Sequence, residues 1–496
     1  MSEKGDQRRL LSRRTMLRAT GGAGMAGAAL AMGRSPRRLQ ARQSQWQGMI
    51  TFYAQAYTPN SQLENAVQLK AFQTVADEYQ QSHPGVTIQF INEEFPDYGQ
   101  TVRVKSAGKE LWDVYWGQWG ELNGTFPQGI ARDLTEDFAK PNPYIEGGAT
   151  WQDAMNPTVV NETVAPNGAH YNVNGDYVGT AFFYNMTLFQ QAAIAEAPTD
   201  WPTLMAASQK LKDAGIIGAT GVPDYSWFQR HFLTDFYAGD YQAIAGCDGS
   251  PAISAIDEAN AIQQGLLSTN DPRFMGWWPL YKQLTDFWVQ DYISQPLETA
   301  AEQMRNDFVA GKAAMYYSGS WTPNELKELN LEFDLGSFSF PTLTPEDSEH
   351  ATGKDTSGAV GGPNAAYQYA MATPESNQTM EEPGKTEAVL DWLHFIGTPR
   401  VIEMVANELG SFAPTWPGTT PAAGLETFAE QANNELDSVW VGNSSPQLGP
   451  NLQRTFGLFL SGNSDIDAAT RDVQRELDRA AQDYARTNSV ELGQCQ

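Results

Sequence analysis

Cysteine is almost missing from this chain. Its 496 residues contain two, Cys247 and Cys495. They form no Cys-x-x-Cys pair, which excludes dithiol redox chemistry and cysteine-based zinc sites. Whether the two bridge each other is open. Histidine is scarce as well: His83, His170, His231, His350 and His394 are scattered, none at metal-ligand spacing with another. With no Asp-x-Asp-x-Asp-Gly loop either, no metal or other cofactor is expected. Positive charge is in deficit, 32 Lys and Arg against 59 Asp and Glu, a net charge of −27. Nucleic acid and anionic membranes need basic patches, so neither is expected as a partner. There is no Gly-x-Ser-x-Gly elbow and no phosphate-binding loop.

Long apolar runs are missing too. Residues 19–32 form a short Gly/Ala-rich apolar stretch, too short for a membrane span. It follows a basic segment. Residues 1–41 hold nine Lys/Arg and two Asp/Glu, and without them the net charge falls from −27 to −34. Within that segment Ser12-Arg13-Arg14-Thr15-Met16-Leu17-Arg18 resembles the twin-arginine export motif, with Met16 and Arg18 where Phe and Lys are usual. Residues 1–41 therefore read as a removable signal peptide, with cleavage after Ala31 or Ala41. That implies export of the folded protein to the periplasm or the outer face of the cell membrane. No cysteine near the cleavage region supports a lipid anchor.

What the chain does have is bulk and aromatics: 41% hydrophobic residues, 11% aromatics and fourteen tryptophans. This length exceeds one typical core, so two or more lobes are expected. Residues 49–53 read as a first buried strand. Phe72, Val75, Ala76 and Tyr79 lie on one stripe of a helix that stops at His83-Pro84-Gly85, and Val86, Ile88 and Phe90 alternate as a second strand. Strand, helix, strand with short connections means a parallel pair in an α/β lobe. Residues 111–116 read as a third strand with a loop, 117–120, leaving its carboxyl end, where open parallel sheets bind ligands.

Residues 175–188 (GDYVGTAFFYNMTL) read as a strand over Val178 to Tyr184 and then a helix through Ala195. A second helix starts at Asp200-Trp201-Pro202 and runs to Gly215, with Asp200 as N-cap and Trp201 packing its start. Residues 304–315 (MRNDFVAGKAAM) give a helix end, a glycine turn and a strand. Val389, Trp392, Leu393 and Ile396 form another helical stripe, a helix over 401–409 ends at Gly410, and Ala469, Val473, Leu477 and Ala480 share one face of a last helix over 465–484. No repeat of solenoid length occurs.

Six phrases, in order, resemble the sugar-type extracellular solute-binding proteins (family 1, maltodextrin-binding-like) of ABC importers. They are AFQTVADEYQQSHPGVTIQF at 71–90, GIARDL at 129–134, the YNMTLF and DWPTL stretches after Val178, MRNDFVAGKAAM with Gly319-Ser320-Trp321, the Phe338 to Pro341 segment, and the glycine-rich 358–363. The resemblance spans about residues 50–481; residues 265–296, with Trp277-Trp278, match no phrase and read as an insertion. It implies an α/β, two-lobe periplasmic-binding-protein type II fold with a hinge and an interlobe cleft. Lobe one would comprise 46–177 and 360–425, and lobe two 178–359 and 428–496. The implied function is the substrate-binding component of an ABC importer, a monomer that captures a sugar or oligosaccharide and delivers it to a membrane permease.

Sugars offer flat C–H faces edged by hydroxyls, and aromatic stacking with polar side chains holds them. Trp116, Gln118 and Trp119 lie on the loop where the family's sugar contacts cluster. Trp321 matches a tryptophan that stacks on sugar in many members. Tyr225 and Trp227 occupy a segment like the aromatic contact region of maltodextrin-binding members, Tyr57 follows the first strand, and Asp113 offers a carboxylate for hydroxyls. Core packing competes with ligand binding for each of them, and for Trp277, Trp278 and Trp416 the choice is open. Two rivals remain: a binding protein for a polyamine or glycerophosphodiester, or a secreted glycoside hydrolase or lyase. The last needs two carboxylates at a defined separation; Glu93, Glu94, Asp133, Glu136, Asp137, Glu381 and Glu382 offer candidates by composition alone, so no enzyme is expected.

Overall fold

The structure is a computed structural model that describes residues 46–496 apart from 62–66, 166, 222–224, 248–252, 291–296, 328, 330, 364, 435–436 and 494–496. The basic leader, Cys495 and part of the unmatched segment thus lie outside the described residues. Cys247 is disulfide-bonded.

The first sheet grows from β1 (Gly48–Tyr53), whose inward residues Ile50 and Phe52 have no exposed surface. It pairs in parallel with β2 (Val86–Phe90) on one side and with β3 (Val114–Trp116) on the other. The helix Ala71–Ser82 crosses between β1 and β2 and buries Phe72, Val75, Ala76 and Tyr79, the stripe expected from their spacing. The third strand is shorter than its sequence suggests. Where a backbone ladder would continue, Asp113 and Thr51 trade side chain for backbone: the Thr51 N–H donates to Asp113 Oδ2 (2.8 Å) and the Asp113 N–H to Thr51 Oγ1 (2.9 Å).

The second sheet is organised by the ten-residue β5 (Asp176–Asn185), which follows the short β4 (Asn172–Asn174) of the first sheet. In the second sheet β6 (Ile217–Ala219) runs parallel to β7 (Ala313–Gly319), which is antiparallel to β5; β8 (Leu335–Phe338) pairs with β5 on its other edge. β5 shows no polar alternation because both faces are covered: Phe182 joins one buried cluster, Ala181 and Phe183 another. The helix after it, Met186–Gln191, is shorter than expected and stops where Ala193 adopts a positive φ of 52°. At Trp201–Asp213 the Asp200 cap is realised in full, its carboxylate accepting from the Thr203 N–H while the Thr203 hydroxyl accepts from the Asp200 N–H.

Three segments pass between the sheets side by side. One is the β4–β5 junction. The second begins at β9 (Gly361–Gly362), paired with Val178 and Gly179 of β5, and reaches β10 (Gln368–Met371), which inserts between β3 and β4. The third is β11 (Ala413–Pro414), which pairs with Tyr177 and Asp176 after the helices Lys385–Ile396 and Pro399–Leu409. Two long helices near the chain's end, Leu448–Leu460 and Ile466–Asn488, pack on the second sheet's cluster. Trp277 and Trp278 belong to that cluster as well. They lie on the helix Pro272–Thr285 with rings 5.0 and 4.8 Å from Phe456, so these two tryptophans are core packing rather than ligand surface. Trp416 is also core; its indole N–H donates to the Asn174 carbonyl (2.7 Å) at the crossing.

Candidate functional site

The crossing is fixed by a buried acid. Asp176 has no exposed surface, and its carboxylate accepts the Tyr57 hydroxyl (2.6 Å), the Tyr367 N–H (2.9 Å) and the Ala366 N–H (3.2 Å). Burial pushes its pKa up to about 7 against the pull of those three donors. The arrangement ties β1's exit, β5 and the second crossing segment to one another. It also accounts for Tyr57: ring and hydroxyl are spent on the core at 1% exposure, leaving no surface for a ligand in this conformation.

Asp113 is likewise structural. It is wholly buried, accepts from Thr51 and from the Asn377 amide (2.9 Å), and stands 3.0 Å from the buried Lys385 ammonium. No oxygen faces outward. Tyr225 is 5% exposed and packs on Trp277 and Phe456. Tyr57, Asp113 and Tyr225 therefore belong to the cores of the lobes, because the partners of each are themselves largely buried side chains and backbone groups.

The remaining five stay partly exposed and fall into two sets. Trp116, Gln118 and Trp119 leave the carboxyl end of β3. The Trp116 indole donates to the Ala365 carbonyl (3.1 Å), and its backbone carbonyl accepts the Tyr98 hydroxyl (2.5 Å) with the two rings 5.0 Å apart. The Trp119 N–H donates to Gln368 Oε1 (2.9 Å). This set is thus anchored to the second crossing segment by both tryptophans. Tyr98 and Phe95, missed by sequence reasoning, extend an aromatic group with Tyr53, whose pKa burial and the Glu94 charge push up to about 12.

Trp227 and Trp321 form the second set, their rings 6.3 Å apart at 70°. Trp321 follows β7 and lies over Gly319, where a Cβ would stand 2.2 Å from the indole; only glycine lets the ring settle there. The Ser320 N–H donates to the Gly179 carbonyl (2.9 Å), and Gly179 pairs with Gly361, so this set also abuts the crossing. Beneath Trp227, on the helix Tyr225–Phe236, the buried His231 holds the helix to β7. Its Nδ1 is 2.8 Å from the Thr356 carbonyl, its Nε2 2.5 Å from the Tyr317 hydroxyl, and burial pulls its pKa down to about 3, so it is a neutral strut. Partly exposed aromatics from both sheets therefore flank one crossing, the arrangement that stacking on a flat, hydroxylated ligand requires. Among the described residues no cluster of His, Cys, Asp and Glu could hold a metal ion.

Comparison with known proteins agrees with this architecture. The family of bacterial extracellular solute-binding proteins matches residues 74–434. No curated protein sequence matches the chain. Among solved structures, a family 1 extracellular solute-binding protein from Bifidobacterium longum subsp. infantis superposes with a TM-score of 0.59 at 17% identity, over 88% of this chain and 99% of its own. The GacH receptor of Streptomyces glaucescens, solved unliganded and with acarbose, gives 0.55 at 17% identity over 88% and 100%. A cyclic α-maltosyl-1,6-maltose binding protein from Arthrobacter globiformis gives 0.53 at 16% identity over 88% and 100%. At these identities the likeness establishes the two-lobe α/β fold.

Proposed function

We propose that this chain, which belongs to the bacterial extracellular solute-binding proteins, captures a sugar or oligosaccharide in its interlobe cleft and delivers it to the membrane permease of an ABC importer. The lobes are residues 46–177 with 360–425 and residues 178–359 with 428–496, and the three crossings serve as the hinge. Trp116, Gln118 and Trp119 contact the ligand from the first lobe, Trp227 and Trp321 from the second. A sugar touching both sets binds the closed form more tightly than the open one, and that differential affinity closes the lobes. The permease partner recognises the closed monomer; the chain hydrolyses nothing. Residues 1–41 act as a twin-arginine signal.

The observation that carries this reading is the pairing of partly exposed tryptophans on both sides of one crossing, the first pair hydrogen-bonded to the crossing and the second beside Ser320, whose N–H donates to Gly179. Structural relatives whose ligands are acarbose and a cyclic maltosyl-maltose support a saccharide. Thermal unfolding against mono- and oligosaccharides, polyamines and glycerophosphodiesters tests it. A ligand present at about 100 times its Kd adds about 2.7 kcal/mol to stability, which raises the unfolding midpoint. The expected result is a shift with a saccharide, recovered chemically intact, that is lost in Trp321→Ala. A shift with only a polyamine or phosphodiester, or cleavage of the sugar, overturns the reading.

A further inference from the structure

The helix Tyr225–Phe236 is nearly enclosed. Of its twelve residues only Ser226, Trp227 and Arg230 reach the outside; all the others are buried. Trp227 and Arg230 are three apart and so share a face, with Cβ atoms about 5–6 Å from each other. A helix that shows a single window and fills it with an indole and a guanidinium departs from an ordinary solvated face, where Lys and Glu dominate.

Arg230 does not stand alone in that window. Its guanidinium lies 3.7 Å over the ring of Trp440, itself partly exposed. Stacking uses the flat face of the guanidinium and not the N–H groups in its plane. Trp440 is delivered by an extended segment fixed to the helices beneath it. The Val439 N–H donates to Thr234 Oγ1 (2.9 Å) and the Val441 N–H to Gln229 Oε1 (3.1 Å), both from the same helix. Beyond it the buried Glu258 carboxylate accepts the N–H groups of Gly442 (2.8 Å), Asn443 (2.8 Å) and Ser444 (3.0 Å) and the Ser444 hydroxyl. Val439 and Val441 are buried, so alternation turns Trp440 outward. A half-exposed indole is thus held in place at several points, the preorganisation expected of a binding surface.

Trp321 and Trp227 are in ring contact, Arg230 stands three residues along the same helix from Trp227, and its guanidinium covers Trp440. From this arrangement we infer that Arg230 and Trp440 form a second saccharide subsite on the second lobe: Trp440 and the guanidinium take the next ring of an oligosaccharide, and Arg230 donates to paired oxygens on that ring. The inference rests on the sugar-binding reading and deepens it, assigning the protein to ligands of two or more rings. The paired oxygens are vicinal hydroxyls of a neutral sugar or a uronate carboxylate; both accept from a guanidinium fork.

Calorimetric titration of the full protein with raffinose, maltotriose, chitotriose and trigalacturonate, and with their component monosaccharides, tests this. Trp440→Ala, Arg230→Ala and Arg230→Lys are compared with Trp321→Ala. The expected result is a Kd for the bound trisaccharide raised roughly tenfold or more in Trp440→Ala and Arg230→Ala. Arg230→Lys recovers less than half of the loss, monosaccharide affinity is unchanged in the three variants, and their thermal midpoints without ligand match the parent. Strong weakening by 0.5 M salt identifies the carboxylate and its absence identifies the hydroxyls. If Trp321→Ala weakens the trisaccharide while Trp440→Ala and Arg230→Ala bind as the parent does, the subsite is wrong and the sugar-binding reading stands. If the parent protein binds none of the sugars, both fall.

Discussion

Asp113 shows how one side chain can satisfy a functional and a structural description until its neighbours are known. A strand-end carboxylate beside a tryptophan-rich loop suits a sugar hydroxyl; in the fold it replaces part of the β1–β3 ladder and neutralises Lys385. Asp113→Asn leaves that lysine as a buried charge without its counter-ion and is expected to cost roughly 3–5 kcal/mol in denaturant unfolding. Ligand affinity at saturating folded protein stays at the parent value, and a selective loss of affinity with intact stability would return Asp113 to the site. His83 gives a second residue-scale prediction. Its Nε2 is 3.1 Å from Asp391 Oδ2 and its Nδ1 3.0 Å from the Tyr79 carbonyl, so both ring nitrogens face acceptors and the doubly protonated ring fits best. Burial lowers its pKa, but the Asp391 hydrogen bond, the Tyr79 carbonyl and the Asp391 charge together outweigh it and leave the pKa above the usual 6.5. A group raised on folding stabilises fully below its unfolded pKa, and the contribution fades as pH climbs through the folded value. The stability gap between the parent and His83→Gln should therefore be widest near pH 5 and shrink toward pH 9 in urea titrations. A gap that is flat across that range removes the imidazolium from the account.

At the scale of elements, β9 is the most constrained piece of the crossing. Gly361 has φ of 155°, and a Cβ there would stand 2.3 Å from the Val178 carbonyl oxygen. Gly361→Ala must push β9 away from β5, with an expected loss of about 1–3 kcal/mol and a weaker ligand affinity although the residue touches no ligand. Unchanged values on both counts would show that the two strands can separate freely. The family resemblance marked the glycine-rich run at 358–363 as this return between sheets, whereas local signals announced the helices: a stripe at Phe72 to Tyr79, a cap at Asp200, a glycine after Leu409. Elements set by non-local partners were harder to read. β3 loses its first half because Thr51, sixty-two residues earlier, offers a hydroxyl to Asp113. Trp277-Trp278 gave no sign of being core, since the surface that covers them, Phe456 and Phe459, comes from a helix near the chain's end. Among site candidates the same limit applied: loop position separated Trp116 and Trp119 from the core tryptophans, but Tyr225 and Trp227 differ only by their angle around one helix.

For the whole molecule, the question is whether the two tryptophan sets act on one ligand. A sugar held by one lobe alone has no preference between open and closed forms and shifts nothing, however tightly it binds; one that bridges the lobes draws the population to the closed form by its differential affinity. The two cases separate in a double-mutant cycle with Trp119→Ala on the first lobe and Trp321→Ala on the second. If both rings act through closure, either loss already undoes part of what the other ring gains, so the double variant loses less affinity than the two single losses added together, by about 0.5–3 kcal/mol. Small-angle scattering on the same proteins supplies the structural half: the radius of gyration falls on adding saccharide to the parent and falls less in each single variant. Additive losses with a radius insensitive to ligand would mean that the crossing is a fixed joint and that one lobe binds the sugar by itself. Because Trp116 and Trp119 are hydrogen-bonded to the second crossing segment while Ser320, beside Trp321, is bonded to Gly179 opposite its start, movement at that segment changes the spacing of the two sets directly. Coupling between Trp119 and Trp321 is therefore the expected outcome.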